Sequence, residues 1–394
     1  MKAPLHPIAC LALALAACSP DVPATDRPAS GAGEPAGAVA AQNEHAATSR
    51  PVADARFTHL VERAAIGLLE HGPEDYFGQI EAIAVDRLGR LYVADTYTTD
   101  VRVFDSAGAY LRTLGRRGQG PGEFIWPGGL TWQNDSILWV LDGGANKRYS
   151  VYDTSGAHIR DRRRGPLGRT LHWDARFDGG KLIEPWVRGG REDRLAAIDP
   201  NAHFGAPADT FPAHHAGVRS DEWNPSFLVR SGTTVWRKKV PFAEGFEWTL
   251  DRRGGLWIGD TRTGRLVRRS LAGDTLLVIS HDIPGARVSA EERRAAIDAL
   301  GPDVSSLDQS RIPDRKPVFR MIVSSDDGGV CLVREGEGAA WFVDMLDADG
   351  HRVGSAELPV EPDLQVLPVV KGSDLWVVTR GALDVQFVVR FSMQ

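Results

Sequence analysis

One short block recurs along this chain. Leu91-Tyr92-Val93-Ala94-Asp95 returns as Leu138-Trp139-Val140-Leu141-Asp142, as Leu256-Trp257-Ile258-Gly259-Asp260 and, more weakly, as Leu375-Trp376-Val377-Val378-Thr379. Each copy is an apolar, aromatic-bearing strand, and three of the four end on Asp. Repetition of this kind restricts the chain to folds in which one supersecondary unit is stacked many times. Around the first copy the unit is clear: Ile80 to Val85, the turn Asp86-Arg87-Leu88-Gly89, Leu91 to Ala94, Val101 to Phe104, the turn Asp105-Ser106-Ala107-Gly108, and Tyr110 to Leu114. Asp and Gly stand where tight hairpins need them. Four antiparallel strands in roughly 45 residues are the signature of a propeller blade.

The aromatic slot of the second strand counts the blades. Tyr92, Trp139, Leu182, Trp257, Cys331 and Trp376 occupy it, so six blades are predicted. Two intervals are long. Between Trp257 and Cys331, Ser289 with Glu292 forms a capping box and Gly301 a stop signal, which predicts a surface helix at about 289–300. Between Leu182 and Trp257, residues 203–241 read as an inserted polar loop, and a loop of that length is usually functional. The last blade has only three strands in sequence, from Leu364, Leu375 and Val385. The segment Phe57 to Leu69 has no other partner and is expected to complete it, closing the ring without a free edge. The fold expected is all-β, a six-bladed β-propeller over 56–394.

Composition agrees: 11 Trp and 42 Gly beside 4 Met suit strands and turns. A net charge of -6 leaves no basic excess to hold phosphates, so nucleic acid is not expected as a partner. The basic run of Arg160 and Arg162 to Arg164 reads as a charged, solvated blade edge. Cys331 reads as a small buried hydrophobe, not as a reactive thiol.

Residues 1–18 carry Lys2, a short apolar run from Ile8 to Ala17, and Leu15-Ala16-Ala17-Cys18. The run is too short to span a bilayer. It resembles the lipobox of bacterial lipoproteins, which implies that Cys18 becomes the acylated first residue and anchors the protein in a membrane; an ordinary secretory signal cut nearby is the other reading. Ser19 in place of Asp implies the outer membrane, with the protein facing the periplasm or the cell surface. Residues 19–55, rich in Ala, Pro, Gly and Ser, are expected to be a disordered tether.

From Phe77-Gly78-Gln79-Ile80 to the link Gly120-Pro121-Gly122-Glu123-Phe124, the first unit resembles the NHL-repeat family, six-bladed propellers of TolB-like fold. The resemblance is strong over 77–155, fair over 244–280 and weak over 165–240 and in the last blade. It implies a fold and a binding rim; members include binding modules, lyases and hydrolases, so function has to come from a site.

Asp95, Asp142 and Asp260 hold equivalent positions, with Arg334 and Thr379 in the same slot of later blades. They could form a ring for a cation or a cationic ligand; equally, each could cap a turn in its own blade, and residues that recur with the repeat usually serve the repeat. Gly115 to Gly122 lacks the Lys-Ser/Thr ending of a phosphate loop and reads as a connector. His203, Asp209, His214 and His215 lie in the long insertion without metal-ligand spacing, and Tyr149 and Tyr152 read as strand residues. Lactonase propellers hold a channel metal with Glu, Asn and Asp; Glu81, Asn146 and Asp260 could be recruited here, but no distinctive spacing supports them. No cofactor is expected, and a channel Ca or Zn ion has no motif behind it. The leading expectation is a non-enzymatic binding propeller presenting a rim to a protein or glycan-like ligand, with Trp126, Trp223 and Trp236 as aromatic anchors. The alternative is a metal-dependent hydrolase or lyase with its site in the central channel.

Overall fold

The computed structural model describes residues 46–48, 55–67, 76–165, 173–188, 191–201, 209–212, 225–231, 234–301, 308–381 and 384–394. They form a six-bladed β-propeller of four-stranded antiparallel blades. Blade 1 is Ile80–Val85, Leu91–Asp95, Asp100–Phe104 and Tyr110–Leu114; blade 2 is Pro127–Gln133, Ile137–Asp142, Arg148–Asp153 and His158–Arg163. Blade 3 is Arg176–Asp178, Lys181–Arg188, Arg191–Ile198 and Asp209–Pro212; blade 4 is Phe246–Leu250, Leu256–Asp260, Arg265–Arg269 and Thr275–Ser280. Blade 5 is Met321–Ser324, Val330–Glu335, Trp341–Leu346 and Arg352–Leu358. Blade 6 takes Val369–Lys371, Asp374–Arg380 and Gln386–Met393 from the end of the chain and its outer strand, Leu60–Ile66, from the beginning. The closure expected from sequence is present, with Leu60 opposite Met393 and Ile66 opposite Val388.

Alternation builds the core. A strand sends successive side chains to opposite faces, and each face of a blade packs on a neighbouring blade. Six apolar clusters result, one per interface, including the one that joins blade 6 to blade 1 through Trp376, Val378, Ile66, Phe77 and Phe104. In five blades the aromatic slot faces the following blade: Tyr92, Trp139, Trp257, Cys331 and Trp376. Blade 3 differs by one residue. There Leu182 faces back to blade 2 and Ile183 faces blade 4, so the ruler read from sequence lands one position early. Cys331 is buried, and burial pushes its thiol up to about 12.

The hairpin turns explain the recurring Asp and Gly. At Asp86, Asp105, Asp153 and Asp347 the carboxylate accepts the amides two and four residues on. The glycine three residues on has positive φ (Gly89 +75°, Gly108 +95°, Gly156 +91°, Gly350 +85°), a conformation other residues enter at a cost.

The long intervals differ in part from expectation. The stretch 203–241, read as a loop, supplies blade 3 with its outer strand, Asp209–Pro212, and also holds a hairpin, Ser226–Ser231 against Thr234–Lys239. Helix α1 (Ala290–Ala299) has the predicted capping box between Ser289 and Glu292. Phe227, Val240 and Ile312 are buried together, with Ile297 and Leu300 of the helix region packed against them, so hairpin and helix share one small core. Lys316, fully buried, joins Glu292 (2.5 Å) to Glu335 (2.8 Å) and ties α1 to the end of the second strand of blade 5. Within the span read as tether, Ala46–Thr48 runs parallel to Thr275–Ser280 of blade 4.

Candidate functional site

The repeated acidic slot ties each blade's entry to its own second strand. Asp95 is completely buried, and its carboxylate accepts the amides of Gly78 (2.8 Å), Gln79 (3.1 Å), Tyr97 (2.8 Å) and Thr98 (3.3 Å) and the Arg102 guanidinium (2.6 Å). Asp142 repeats the pattern with the amides of Ile125 and Trp126, the Asn146 amide (2.6 Å) and Arg148. Each staples the residues entering its blade to the end of the second strand. Asp260 is less engaged, accepting the Arg262 amide (2.9 Å) with the Arg262 guanidinium at 3.4 Å; Thr261 takes over the stapling by accepting the Gly245 amide. Arg334 pairs with buried Asp344 and lies over the Phe342 ring, and the Thr379 hydroxyl donates to Glu361. His281 and Arg352 also face Asp344, and the close contact with His281 together with the Arg334 charge holds its carboxyl well below the usual carboxylate range despite burial. This slot is therefore the propeller's internal stapling.

Of the aromatic anchors, Trp126 is half-buried at the entry to blade 2 and makes a contact there, and Trp236 lies in the hairpin opposite Val229. Trp223, Cys18, His203, His214 and His215 lie outside the described residues. Tyr152 donates to the Gly122 carbonyl, and Tyr149 donates to Glu184. The Gly115 to Gly122 connector is occupied by protein: Glu123 takes the Gly120 amide, and Arg148 and Asn146 take carbonyls of Gly118 to Glu123. The basic run is more engaged than a solvated edge. Arg160 and Arg162 reach carbonyls of Pro200 and Asp199, and Arg164 is buried against Glu184 with Trp173.

What remains open is the central channel. A cavity of about 320 Å³ lies where the innermost strands of all six blades converge, lined by Glu81, Thr131, Asp174, Arg176, Thr249 and Ser324 among apolar neighbours, with Trp132 and Trp173 in its wall. Its polar groups are partly tied to each other. Asp174 accepts the Thr249 hydroxyl (2.7 Å) and the Leu250 amide (2.8 Å), and the Thr131 hydroxyl donates to the Ala175 carbonyl (2.6 Å). Glu247 shares with Thr249 one face of the innermost strand of blade 4; burial pushes its carboxyl up to about 7, against the pull of Lys239 and Arg320. Of Glu81, Asn146 and Asp260, only Glu81 lines the cavity, and Asn146 is bonded to Asp142. Among the described residues the acidic and His groups spaced as for a cation are Asp347, Asp349 and His351, on a hairpin turn of blade 5 where Asp347 already binds two backbone amides. The channel residues carry no motif; their only sequence signal is their place on or next to a first strand.

Comparison with known proteins supports the architecture. A family described as "6-bladed beta-propeller" (DUF5128) matches residues 68–164. No curated protein matches the chain. A member of the DUF4221 family from Bacteroides vulgatus, 12% identical, superposes with a TM-score of 0.51 over 86% of this chain and 99% of that one. Virginiamycin B lyase from Staphylococcus aureus (12% identical, TM-score 0.43, 80% and 95% covered) and the calcium-binding protein regucalcin from Agrobacterium tumefaciens (14%, 0.39, 86% and 96%) are more distant. At these identities the likeness is one of fold, and the chain is a six-bladed β-propeller.

Proposed function

We propose that this chain is a non-enzymatic, ligand-binding propeller of the bacterial cell envelope, anchored to the outer membrane through an acylated Cys18, that receives a small polar, glycan-like ligand in its central channel. The observation that carries the reading is the cavity of about 320 Å³ lined from all six blades, with hydroxyl, carboxylate and guanidinium groups set among apolar walls. That volume is at the lower end of ligand pockets, and a lining that presents more polar than apolar surface suits a hydrophilic ligand. The repeated Asp slot offers no competing site, because Asp95 and Asp142 are consumed by backbone amides.

Two experiments test it. Fractionation of cells should place the wild-type chain with membranes and a Cys18→Ser variant in the soluble fraction; equal partitioning of both would remove the anchor. Thermal unfolding of the full Cys18→Ser chain against a panel of mono- and disaccharides should reveal a stabilising ligand. The stabilisation should disappear in Ala82→Phe, which fills the channel wall. A ligand whose effect survives that filling binds elsewhere, and the channel reading fails.

A further inference from the structure

We infer that the mouth of the channel at the first-to-second-strand turns is a subsite for a compact oxyanion, a carboxylate or phosphate group, gripped by Arg176 and Arg252. The inference rests on the ligand-binding reading above and names the charge of the group bound. Arg176 from blade 3 and Arg252 from the neighbouring blade 4 line the same cavity. Two like charges brought together from separate elements are unfavourable unless something neutralises them.

Three carboxylates stand near the pair, but none makes a hydrogen bond or ion pair with Arg252. Asp174 stands 3.6 Å from the Arg176 Nε, which is buried and makes no hydrogen bond, while the other Asp174 oxygen serves Thr249 and Leu250. Asp135 faces Lys371 at 3.8 Å, and Asp326 accepts the Gly372 amide at 3.1 Å. Arg252 makes no hydrogen bond or ion pair with any described residue. Arg252 is exposed as a residue, yet the protein crowded around its guanidinium, followed by the like charge of Arg176, holds it below its ordinary pKa against the pull of Asp326, Asp135 and Asp174. Asn134, in a tight turn with φ +51° and followed by Asp135 at +50°, brings a side-chain amide to the same mouth. Guanidinium forks match the paired oxygens of carboxylate and phosphate, and a bound oxyanion would supply the hydrogen-bond acceptors that the Arg252 fork and the Arg176 Nε lack.

The test is thermal unfolding of the full Cys18→Ser chain with inorganic phosphate or succinate, each against sodium chloride at matched ionic strength. A saturable stabilisation by one of the two is expected, and which one responds identifies the oxyanion. Arg252→Ala should weaken it at least tenfold, Arg252→Lys should retain part of it, and Arg116→Ala, an equal loss of charge at an exposed position, should leave it unchanged. Arg252 is the informative site because it makes no hydrogen bond or ion pair with any described residue, so its removal leaves the fold's own contacts in place. No saturable effect beyond chloride, or an equal effect in Arg252→Ala, overturns the inference. If a neutral saccharide still binds in the channel in that case, the ligand-binding reading stands without it. If both anions and all saccharides fail, that reading falls as well.

Discussion

If the repeated Asp slot is stapling and not a ligand ring, its members should differ in stability cost by how fully they are consumed. Asp95 is the extreme case: a completely buried carboxylate accepts four backbone amides and a guanidinium that is itself 4% exposed. Asp95→Ala would leave the buried Arg102 charge with Asp100 (3.3 Å) and the Tyr76 carbonyl, which puts the loss toward the lower end of the ~3–5 kcal/mol for a buried pair broken on one side. Orphaned amides add about 1 kcal/mol or more each, although these terms overlap. A total near 5 kcal/mol is expected, a large part of the roughly 5–15 kcal/mol that holds a typical domain together. Asp95→Asn keeps the shape and one acceptor oxygen and should cost about 2–3 kcal/mol. Asp260→Ala removes one turn hydrogen bond and an ion pair whose arginine is 65% exposed, and should cost under about 1 kcal/mol. Urea unfolding followed by Trp fluorescence measures all three, with the denaturant slope checked for constancy. If Asp95→Ala and Asp260→Ala fall within about 1 kcal/mol of each other, the stapling account is wrong.

The Glu247 carboxyl, pushed up to about 7, sits above its unfolded value near 4.3, so charging it opposes folding: stability should fall as pH rises from about 4 to 7 and then level off. Glu247→Gln should accordingly gain stability over wild type at pH 8, by up to about 3 kcal/mol, and gain nothing at pH 4; an equal difference at both pH values would contradict the burial of that group. Asp344, depressed by His281 and Arg334, has the opposite sign: it stabilises above about pH 4 and is lost below, so Asp344→Asn should be destabilised at pH 7, with the gap to wild type narrowing in acid. Cys331 should react with a thiol reagent only on unfolding; reaction of the native protein at the rate of a free thiol would contradict its burial. Deletion of residues 1–66 strips Gln386–Met393 of its outer partner and should yield an aggregating or unfolded chain, whereas a monomeric deletion as stable as wild type would show that the closing strand is dispensable.

Much of this could be read from local pattern. Strand alternation, the Asp and Gly of each hairpin and the Ser289–Glu292 capping box are short-range physics, set by residues within a few positions of one another. Their repetition led to six blades, and the unpaired segment before Ile80 led to the closing strand. Blade 3 was the weak point. Its Leu182 and Ile183 are both apolar, so one strand face cannot be told from the other until both neighbouring blades are in place. The roles of Asp95 and Asp142 were also ambiguous, because a carboxylate at a strand end looks the same whether it awaits a cation or binds the backbone 16 or 17 residues earlier. The channel is decided by tertiary structure alone. Thr131, Asp174, Arg176, Thr249, Arg252 and Ser324 come from four blades and lie as much as 193 positions apart in sequence, and only closure of the ring brings them to one cavity. Periodicity specifies which side of a strand is buried; which side chains from different strands converge is set by how the ring closes.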